Sequence, residues 1–144
     1  MNYIKHIGIY TKDVGKLAHF YKDCFNFKEI IHVVDQGELY DELLECKNAK
    51  VEIIKMISEH GEKTGIGEMI ELIEIKNPSY RKPNDRSVSD IGLSHISISA
   101  ENIEDTVNKI IGHGGKKITK VFTIGQRKCC FCSDIESNII ELIE

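Results

Sequence analysis

The sequence predicts an α+β fold made of two tandem βαβββ modules, and three observations lead to this prediction. The pentapeptide Ile-Glu-Leu-Ile-Glu occurs twice, at residues 70–74 and 140–144. Each copy ends a segment that begins with a histidine in an apolar, strand-like run, at residues 5–9 and 94–98. In both segments, apolar residues at helical spacing follow the histidine run. The chain therefore has the order His…Glu, then His…Glu.

The composition is typical of a globular protein and excludes two classes of partner. Of the 144 residues, 41 % are hydrophobic and 29 % are charged, with a formal net charge of −4, which suits one ordinary domain or two half-domains. The lysines are scattered, so neither nucleic acid nor an anionic membrane is an expected partner. No apolar run has the length of a signal-peptide core or a membrane span. We therefore expect a cytoplasmic protein.

The first module is expected to cover residues 1–75 and to begin with a strand. Alternation places Ile7 and Ile9 on one face of this strand, and His6 and Tyr10 on the other. Since the isoleucine face would pack against a helix, the histidine should face the opposite side of the sheet.

A helix should follow this strand, and the rest of the module is rich in β-formers. Thr11 or Asp13 can cap the helix, because a short side-chain oxygen accepts from the free N–H groups of the first turn. The apolar stripe of the helix consists of Val14, Leu17, Phe20, Tyr21 and Cys24. Further strands are predicted at residues 27–34, 51–57 and 69–75. Between them, residues 37–50 favour a short helix, with a strand as the alternative, and residues 60–67, with three glycines, favour a turn or flexible loop.

A linker and a second module should follow. Residues 76–91 contain both prolines and have no apolar period, so they are expected to join the modules. The second module, residues 92–144, repeats the first: a strand at 93–99, a helix that Asn102 caps and Gly114 and Gly115 end, and strands at 117–123, 127–133 and 138–142.

The two modules differ in length within their middle part. The two histidines are 89 residues apart (His6 to His95), whereas the first glutamates of the pentapeptides are 70 apart (Glu71 to Glu141). The first module thus carries 19 extra residues, which fall at about 37–67. Extra length on a shared scaffold usually forms loops that cover or shape a site.

The repeated residues have the chemistry of metal ligands. His6, Glu71, His95 and Glu141 would offer nitrogen and hard oxygen donors, which suit one divalent ion such as Zn²⁺, Ni²⁺, Co²⁺, Fe²⁺ or Mn²⁺. Both glutamates interrupt apolar runs, where a charge without a partner would be costly. The alternative interpretation is that the histidines are ordinary surface or hydrogen-bonded residues. Recurrence at equivalent positions favours the metal site. Within the pentapeptides, Glu74 is a second candidate for Glu71, and Glu144 is expected to be solvated.

These motifs resemble those of a known superfamily. The chain contains His-Ile-Gly-Ile at 6–9, Phe-Tyr-Lys-Asp-Cys-Phe-Asn-Phe at 20–27, Gly-Leu-Ser-His-Ile at 92–96 and two Ile-Glu-Leu sequences. They are similar to the vicinal oxygen chelate superfamily, which includes glyoxalase I, methylmalonyl-CoA epimerase, extradiol dioxygenases and the fosfomycin and bleomycin resistance proteins. The resemblance implies one domain in which paired βαβββ modules form a cupped mixed sheet around one metal ion. The superfamily's ligand positions fall on the four residues named above.

The number of ligands favours one type of chemistry. Four protein ligands leave two positions on an octahedral ion, which suits Lewis-acid chemistry on an oxygen-chelating small-molecule substrate better than oxygen activation. The resemblance to glyoxalase I implies a lyase or isomerase that abstracts a proton α to a carbonyl and stabilises a metal-bound enediolate. By this analogy Glu141 is the first choice for the catalytic base, with Glu71 as its counterpart. The alternatives are an acyl-CoA epimerase and, from another class, a small-molecule binding or antibiotic resistance protein.

Other features bear on the substrate and the assembly. Glutathione-using glyoxalases commonly have Arg and Asn where this chain has Tyr10 and Ile75, so a glutathione hemithioacetal is not favoured. The epimerases carry a further carboxylate on a neighbouring strand, for which Glu52 is a loose candidate and Asp35 lies too far upstream. The resemblance also implies a homodimer, in which the two His/Glu pairs of one site come from one chain or from two. The three cysteines at 129, 130 and 132 are expected to pack in a strand as reduced thiols.

Overall fold

The structure is a computed structural model that describes residues 1–81 and 89–144. The chain forms two compact units, Met1–Lys82 and Pro83–Glu144. Each unit contains one mixed sheet, with three helices described in the first unit and one in the second, so the α+β prediction is confirmed. Residues 82–88 of the predicted linker lie outside the described residues, and the boundaries of the two modules stay a prediction. No helix within the described ranges is long and apolar enough to cross a membrane.

The first unit has a four-stranded sheet in the order β1-β4-β3-β2. Strand β1 runs parallel to β4, and the other pairs are antiparallel. The elements are β1 (His6–Thr11), α1 (Val14–Phe25), β2 (Lys28–Gln36), α2 (Glu38–Leu43), β3 (Lys50–Ile57), α3 (Glu59–Thr64) and β4 (Met69–Asn77).

Helix α1 covers one face of this sheet. Its predicted cap is confirmed: Asp13 accepts from the N–H of Lys16 at 2.9 Å. The helix ends at Asn26, which adopts the left-handed conformation that asparagine tolerates. All five residues of the predicted stripe are buried, and α1 packs on β3 and β4. This apolar stripe therefore covers the face of the sheet opposite to the one that carries His6.

The surplus residues of the first module form two short helices. The short helix predicted within 37–50 is confirmed as α2. The loop predicted at 60–67 is wrong, because α3 occupies most of it. Ser58 caps α3 by accepting from the N–H of Gly61, and Gly65 ends the helix at a φ of 71°. Two of the three glycines therefore belong to a capped helical turn, which glycine content alone does not reveal.

The second unit repeats this arrangement in fewer residues. Its elements are β5 (Ile96–Ser99), α4 (Ile103–Gly112), β6 (Lys116–Lys117), β7 (Phe122–Ile124), β8 (Arg127–Ser133) and β9 (Ile139–Ile143). The strand order is β5-β9-β8-β6, and β7 also pairs with β8. Asn102 caps α4 as predicted, by accepting from the N–H of Asp105 at 2.9 Å.

The strand predicted at 117–123 is divided in the structure. Both Ile118 and Thr119 donate their backbone N–H groups to the carbonyl oxygen of Phe131, at 2.8 and 3.1 Å. The Thr119 hydroxyl in turn accepts from the N–H of Phe131 at 3.0 Å. These contacts replace the regular ladder at this point, so β6 and β7 pair separately with β8.

Candidate metal site

The first unit brings His6 and Glu71 into direct contact. Because β1 and β4 are parallel, Gly8 lies opposite Glu71, and His6, two residues earlier, is on the same face. The His6 Nε2 and Glu71 Oε2 atoms are 2.7 Å apart, and the two side chains are 36 % and 15 % exposed. On the other face, Leu72 is fully buried. The prediction that the histidine faces away from the helix-covered core is confirmed.

The second unit holds the equivalent pair. Ser97 of β5 lies opposite Glu141 of β9, and His95 immediately precedes β5. Its Nε2 atom is 3.3 Å from Glu141 Oε2, with side-chain exposures of 34 % and 20 %. Ser94 Oγ lies 2.8 Å from His95 Nδ1. Thus both copies of the repeat place a ring nitrogen beside a carboxylate oxygen at the same position in the module.

The geometry of each pair fits a divalent ion. Two adjacent ligands with bonds of about 2.1 Å at right angles have donor atoms about 3 Å apart, close to the distances of 2.7 and 3.3 Å found here. Over the described parts of the chain, however, no three or more His, Cys, Asp or Glu side chains form a cluster that could hold a metal ion. Each unit by itself therefore supplies two candidate ligands, and the combination of four stays a prediction.

Lys55 is a neighbour of Glu71 that the sequence pattern did not indicate. It lies opposite Glu71 in the β3–β4 pairing, and its Nζ atom is 3.7 Å from Glu71 Oε2. A strand pairing that is distant in the sequence creates this contact, so only the register reveals it.

The cysteines of β8 confirm the packing interpretation and add one polar contact. Cys130 and Cys132 are fully buried, and their Sγ atoms are 4.0 Å apart, so they form no disulfide. Burial raises the pKa of Cys132 to about 12, which keeps this thiol protonated and unreactive. Cys129 donates its S–H to Glu141 Oε1 at 3.4 Å, and burial followed by this hydrogen bond raises the pKa of Cys129. A neutral thiol thus supports the Glu141 carboxylate.

The second glutamate of each pentapeptide has a structural role. Glu74 accepts from the N–H of Val14 at 3.0 Å, and Glu144 accepts from that of Ile103 at 2.8 Å. Each carboxylate therefore binds the free N–H of the first residue of α1 or α4, where negative charge is favoured. The expectation that Glu144 is merely solvated is wrong. The use of Glu74 at a helix terminus leaves Glu71 as the candidate ligand.

Glu52 lies on the face opposite to Glu71. It is opposite Glu74 in the strand pairing, and its carboxylate contacts Lys76 Nζ at 2.8 Å and His32 Nε2 at 2.7 Å. The hydrogen bond from Lys76, then that from His32, lowers the pKa of Glu52. Glu52 therefore stabilises the first unit and does not supply the extra carboxylate of an epimerase site.

This network predicts a pH-dependent stability. Because the folded protein favours the charged form of Glu52, its contribution is present above the ordinary pKa of 4.5 and is lost as the pH falls through the lower folded pKa. We expect Glu52→Gln to reduce the acid dependence of the free energy of unfolding by about 0.2–1 kcal/mol. Urea unfolding between about pH 7 and about pH 3 measures it. Glu42→Gln, on the exposed side of α2, is the control and should leave the profile unchanged; an unchanged profile in Glu52→Gln would contradict the assignment.

Comparison with known proteins gives one family and many similar folds. The family model of the Glyoxalase/Bleomycin resistance protein/Dioxygenase superfamily matches residues 3–139. A glyoxalase family protein from Bacillus cereus has a TM-score of 0.87 at 18 % identity, with 100 % of this chain and 94 % of that chain covered. A glyoxalase family protein from Enterococcus faecalis gives 0.64 at 19 % identity, covering 99 % and 97 %. The fosfomycin resistance protein FosX from Listeria monocytogenes, solved with Mn(II) and sulfate, gives 0.60 at 16 % identity, covering 99 % and 92 %. A comparison with curated proteins finds no match. At these identities, the structures show the fold alone.

Proposed function

Because the chain belongs to the Glyoxalase/Bleomycin resistance protein/Dioxygenase superfamily, we propose that it is a divalent-metal-dependent lyase or isomerase of the glyoxalase I type. Membership by itself supports a metal-dependent vicinal oxygen chelate enzyme or a resistance protein. The observation that carries the finer proposal is the repeated contact between a histidine nitrogen and a glutamate oxygen, at 2.7 and 3.3 Å.

Four residues would hold the ion. His6 and Glu71 come from the first unit, and His95 and Glu141 from the second. Their two nitrogen and two carboxylate donors suit Zn²⁺, Ni²⁺, Co²⁺, Fe²⁺ or Mn²⁺. When bound, the ion would act as a Lewis acid toward a carbonyl oxygen of the substrate.

Glu141 is the better candidate for the base, because it is held less firmly than Glu71. Its carboxylate contacts are a histidine at 3.3 Å and a thiol at 3.4 Å. Glu71 has a closer histidine contact, at 2.7 Å, and the ammonium group of Lys55 nearby. A carboxylate with longer contacts can move toward a substrate carbon more readily. In this scheme Glu141 takes the α-proton and returns it to the neighbouring carbon, which is an isomerisation.

A second candidate function is the epimerisation of an acyl-CoA, in which the proton returns to the carbon it left. One observation favours it, at a residue that lies upstream of the expected sequence position of the epimerase carboxylate. Asp35 of β2 lies opposite Val51, which in turn lies opposite Ile75, so alternation places Asp35 on the same face as Glu71. The hydroxyl of Tyr40 donates to Asp35 Oδ2 at 3.0 Å. An epimerase mechanism would use a further carboxylate on this face, in addition to the metal ligands.

Exchange of a substrate proton with solvent tests the proposal. We expect the metal-loaded protein, incubated in D₂O with a panel of thiol hemithioacetals and 2-substituted acyl-CoAs, to exchange the α-proton of at least one compound. NMR measures the exchange, and metal analysis of protein purified without chelator measures the bound ion.

Each outcome has a different meaning. Exchange in the hemithioacetal set supports the glyoxalase-type function, and exchange confined to the acyl-CoA set supports the epimerase. Stoichiometric metal without any exchange would instead indicate a small-molecule binding or resistance protein. Protein without a stoichiometric divalent ion would overturn the enzymatic proposal.

A further inference from the structure

Lys55 places a positive charge beside the predicted ligand Glu71. Its side chain is only 21 % exposed, and its Nζ atom lies 3.7 Å from Glu71 Oε2. The same oxygen is the one that His6 contacts. Among the described residues, Glu71 is the one carboxylate within ion-pair distance of Lys55.

The second unit shows that a His/Glu pair does not require this lysine. Phe131 occupies the equivalent position there, because it lies opposite Glu141 in the β8–β9 pairing. Its ring meets the ring of His95 edge to face, with the centroids 5.3 Å apart. Phe131 thus supports its pair by ring packing, whereas Lys55 adds charge. Lys55 is therefore a specific feature of the first unit and not a general element of the module.

A divalent ion on His6 and Glu71 would change the surroundings of Lys55. The ion would repel the Lys55 ammonium group and would compete with it for the Glu71 carboxylate. A lysine that is largely removed from water then needs another anion, since burial of an unpaired charge is costly. Lys55 lies opposite Glu71, on the face of the sheet that also carries His6, so a substrate bound to an ion on this pair would lie beside the lysine.

We propose that Lys55 binds an anionic oxygen group of the substrate, a carboxylate or a phosphonate, and thereby selects anionic substrates. This inference rests on the proposed function, because it assumes an ion on the His6/Glu71 pair. Lys55 here is a specificity residue: it positions the anionic group and takes no part in the proton transfer.

Three small probes separate charge recognition from metal chelation. Glycolate, hydroxymethylphosphonate and hydroxyacetone share a hydroxymethyl group, which is attached to a carboxylate, a phosphonate and a neutral acetyl group, respectively. Isothermal titration calorimetry measures their binding to the metal-loaded parent protein and to Lys55→Gln, Lys55→Arg and Lys50→Gln. Lys50, at the exposed start of β3, is the matched control. A separate titration measures the affinity of each protein for the metal.

We expect Lys55→Gln to bind at least one of the two anionic probes about tenfold more weakly or worse, the effect of losing one charge-assisted hydrogen bond. Binding of hydroxyacetone should change by less than about twofold, and Lys55→Arg should retain most of the anion affinity. Metal affinity in Lys55→Gln should equal or exceed that of the parent, because a nearby positive charge is gone. The anionic probe with the larger dependence on Lys55 identifies the group, carboxylate or phosphonate.

The outcomes distinguish this inference from the proposed function. If the parent binds metal but Lys55→Gln weakens the binding of charged and neutral probes equally, the role assigned to Lys55 is overturned and the proposed function is not. The same holds if Lys55→Gln loses the metal, or if the loaded parent binds neither anionic probe. A parent protein that binds no divalent ion would overturn the proposed function and this inference together.

Discussion

Replacing Glu141 with glutamine should lower the turnover of the metal-loaded protein by about 10²–10⁴-fold, the contribution of a general base. Glutamine keeps the shape of the side chain and one oxygen donor, but it cannot accept a proton from carbon. The fold should persist, because Glu141 is on the open face of β9 while its neighbours Ile140 and Leu142 form the core. Steady-state turnover and α-proton exchange on the same preparation, with its metal content measured, check this prediction.

The same pentapeptide supplies the control for Glu141→Gln. Glu144→Gln changes a carboxylate that accepts from the N–H of Ile103, and an amide oxygen can still accept this hydrogen bond. We expect it to leave turnover within about twofold of the parent, since surface changes away from the chemistry have small effects. A Glu141→Gln variant that binds metal and works at the parental rate would show that the base is another group, with Glu71 next in order.

Repetition is why the sequence could predict the two histidine–glutamate pairs. A strand exposes alternate residues on opposite faces, so the isoleucines of each first strand indicate which way His6 and His95 point. The parallel pairing then brings each histidine to the glutamate of the last strand, as the distances of 2.7 and 3.3 Å show. Pattern and register agree here because the apolar residues on the other face of these strands fix the face on which each histidine and glutamate lie.

The neighbours of these pairs could not be predicted, because they depend on antiparallel register. Lys55 and Cys129 are separated from their glutamates by 16 and 12 residues of sequence, and a shift of one residue would turn either side chain to the other face. The sequence indicates where both strands lie, but not which residues pair across them. Helix α3 was missed for a different reason, since Ser58 and Gly65 are capping residues that also occur in loops.

The second glutamates illustrate a limit of reading a repeat as one function. Glu71 and Glu74 are three residues apart on the same strand and therefore face opposite sides. One side holds the histidine, and the other holds the N-terminus of α1, where Val14 donates to Glu74. The same division recurs at Glu141 and Glu144. Each copy of the pentapeptide thus supplies one glutamate beside a histidine and one glutamate at a helix N-terminus.

Removal of either histidine should abolish tight metal binding. We expect His6→Ala and His95→Ala each to weaken the affinity for a divalent ion by at least about 100-fold. Loss of a residue that only hydrogen-bonds to a metal ligand already weakens metal affinity by about 10–100-fold, so loss of a ligand itself should cost at least as much. His19→Ala is the control, since the one polar contact of this exposed histidine within the described residues is with the carbonyl oxygen of Gly15 at 3.0 Å. Equilibrium dialysis followed by metal analysis measures both affinity and stoichiometry. A parent with two ions per chain, of which each variant keeps one, would contradict a single four-ligand site.

Mixing the two variants determines whether one chain or two supplies the ligands. Suppose that each site of a dimer combines His6/Glu71 of one protomer with His95/Glu141 of its partner. A heterodimer of His6→Ala and His95→Ala then has one intact site and one site without either histidine. Tight metal binding should then return at one ion per heterodimer. If each chain builds its own site, every site in the mixture lacks one histidine and no tight binding returns. The two variants are co-expressed with different tags and purified through both tags, and metal analysis of the heterodimer separates the two arrangements. The arrangements differ only in whether the His6/Glu71 pair and the His95/Glu141 pair of one site come from one chain or from two.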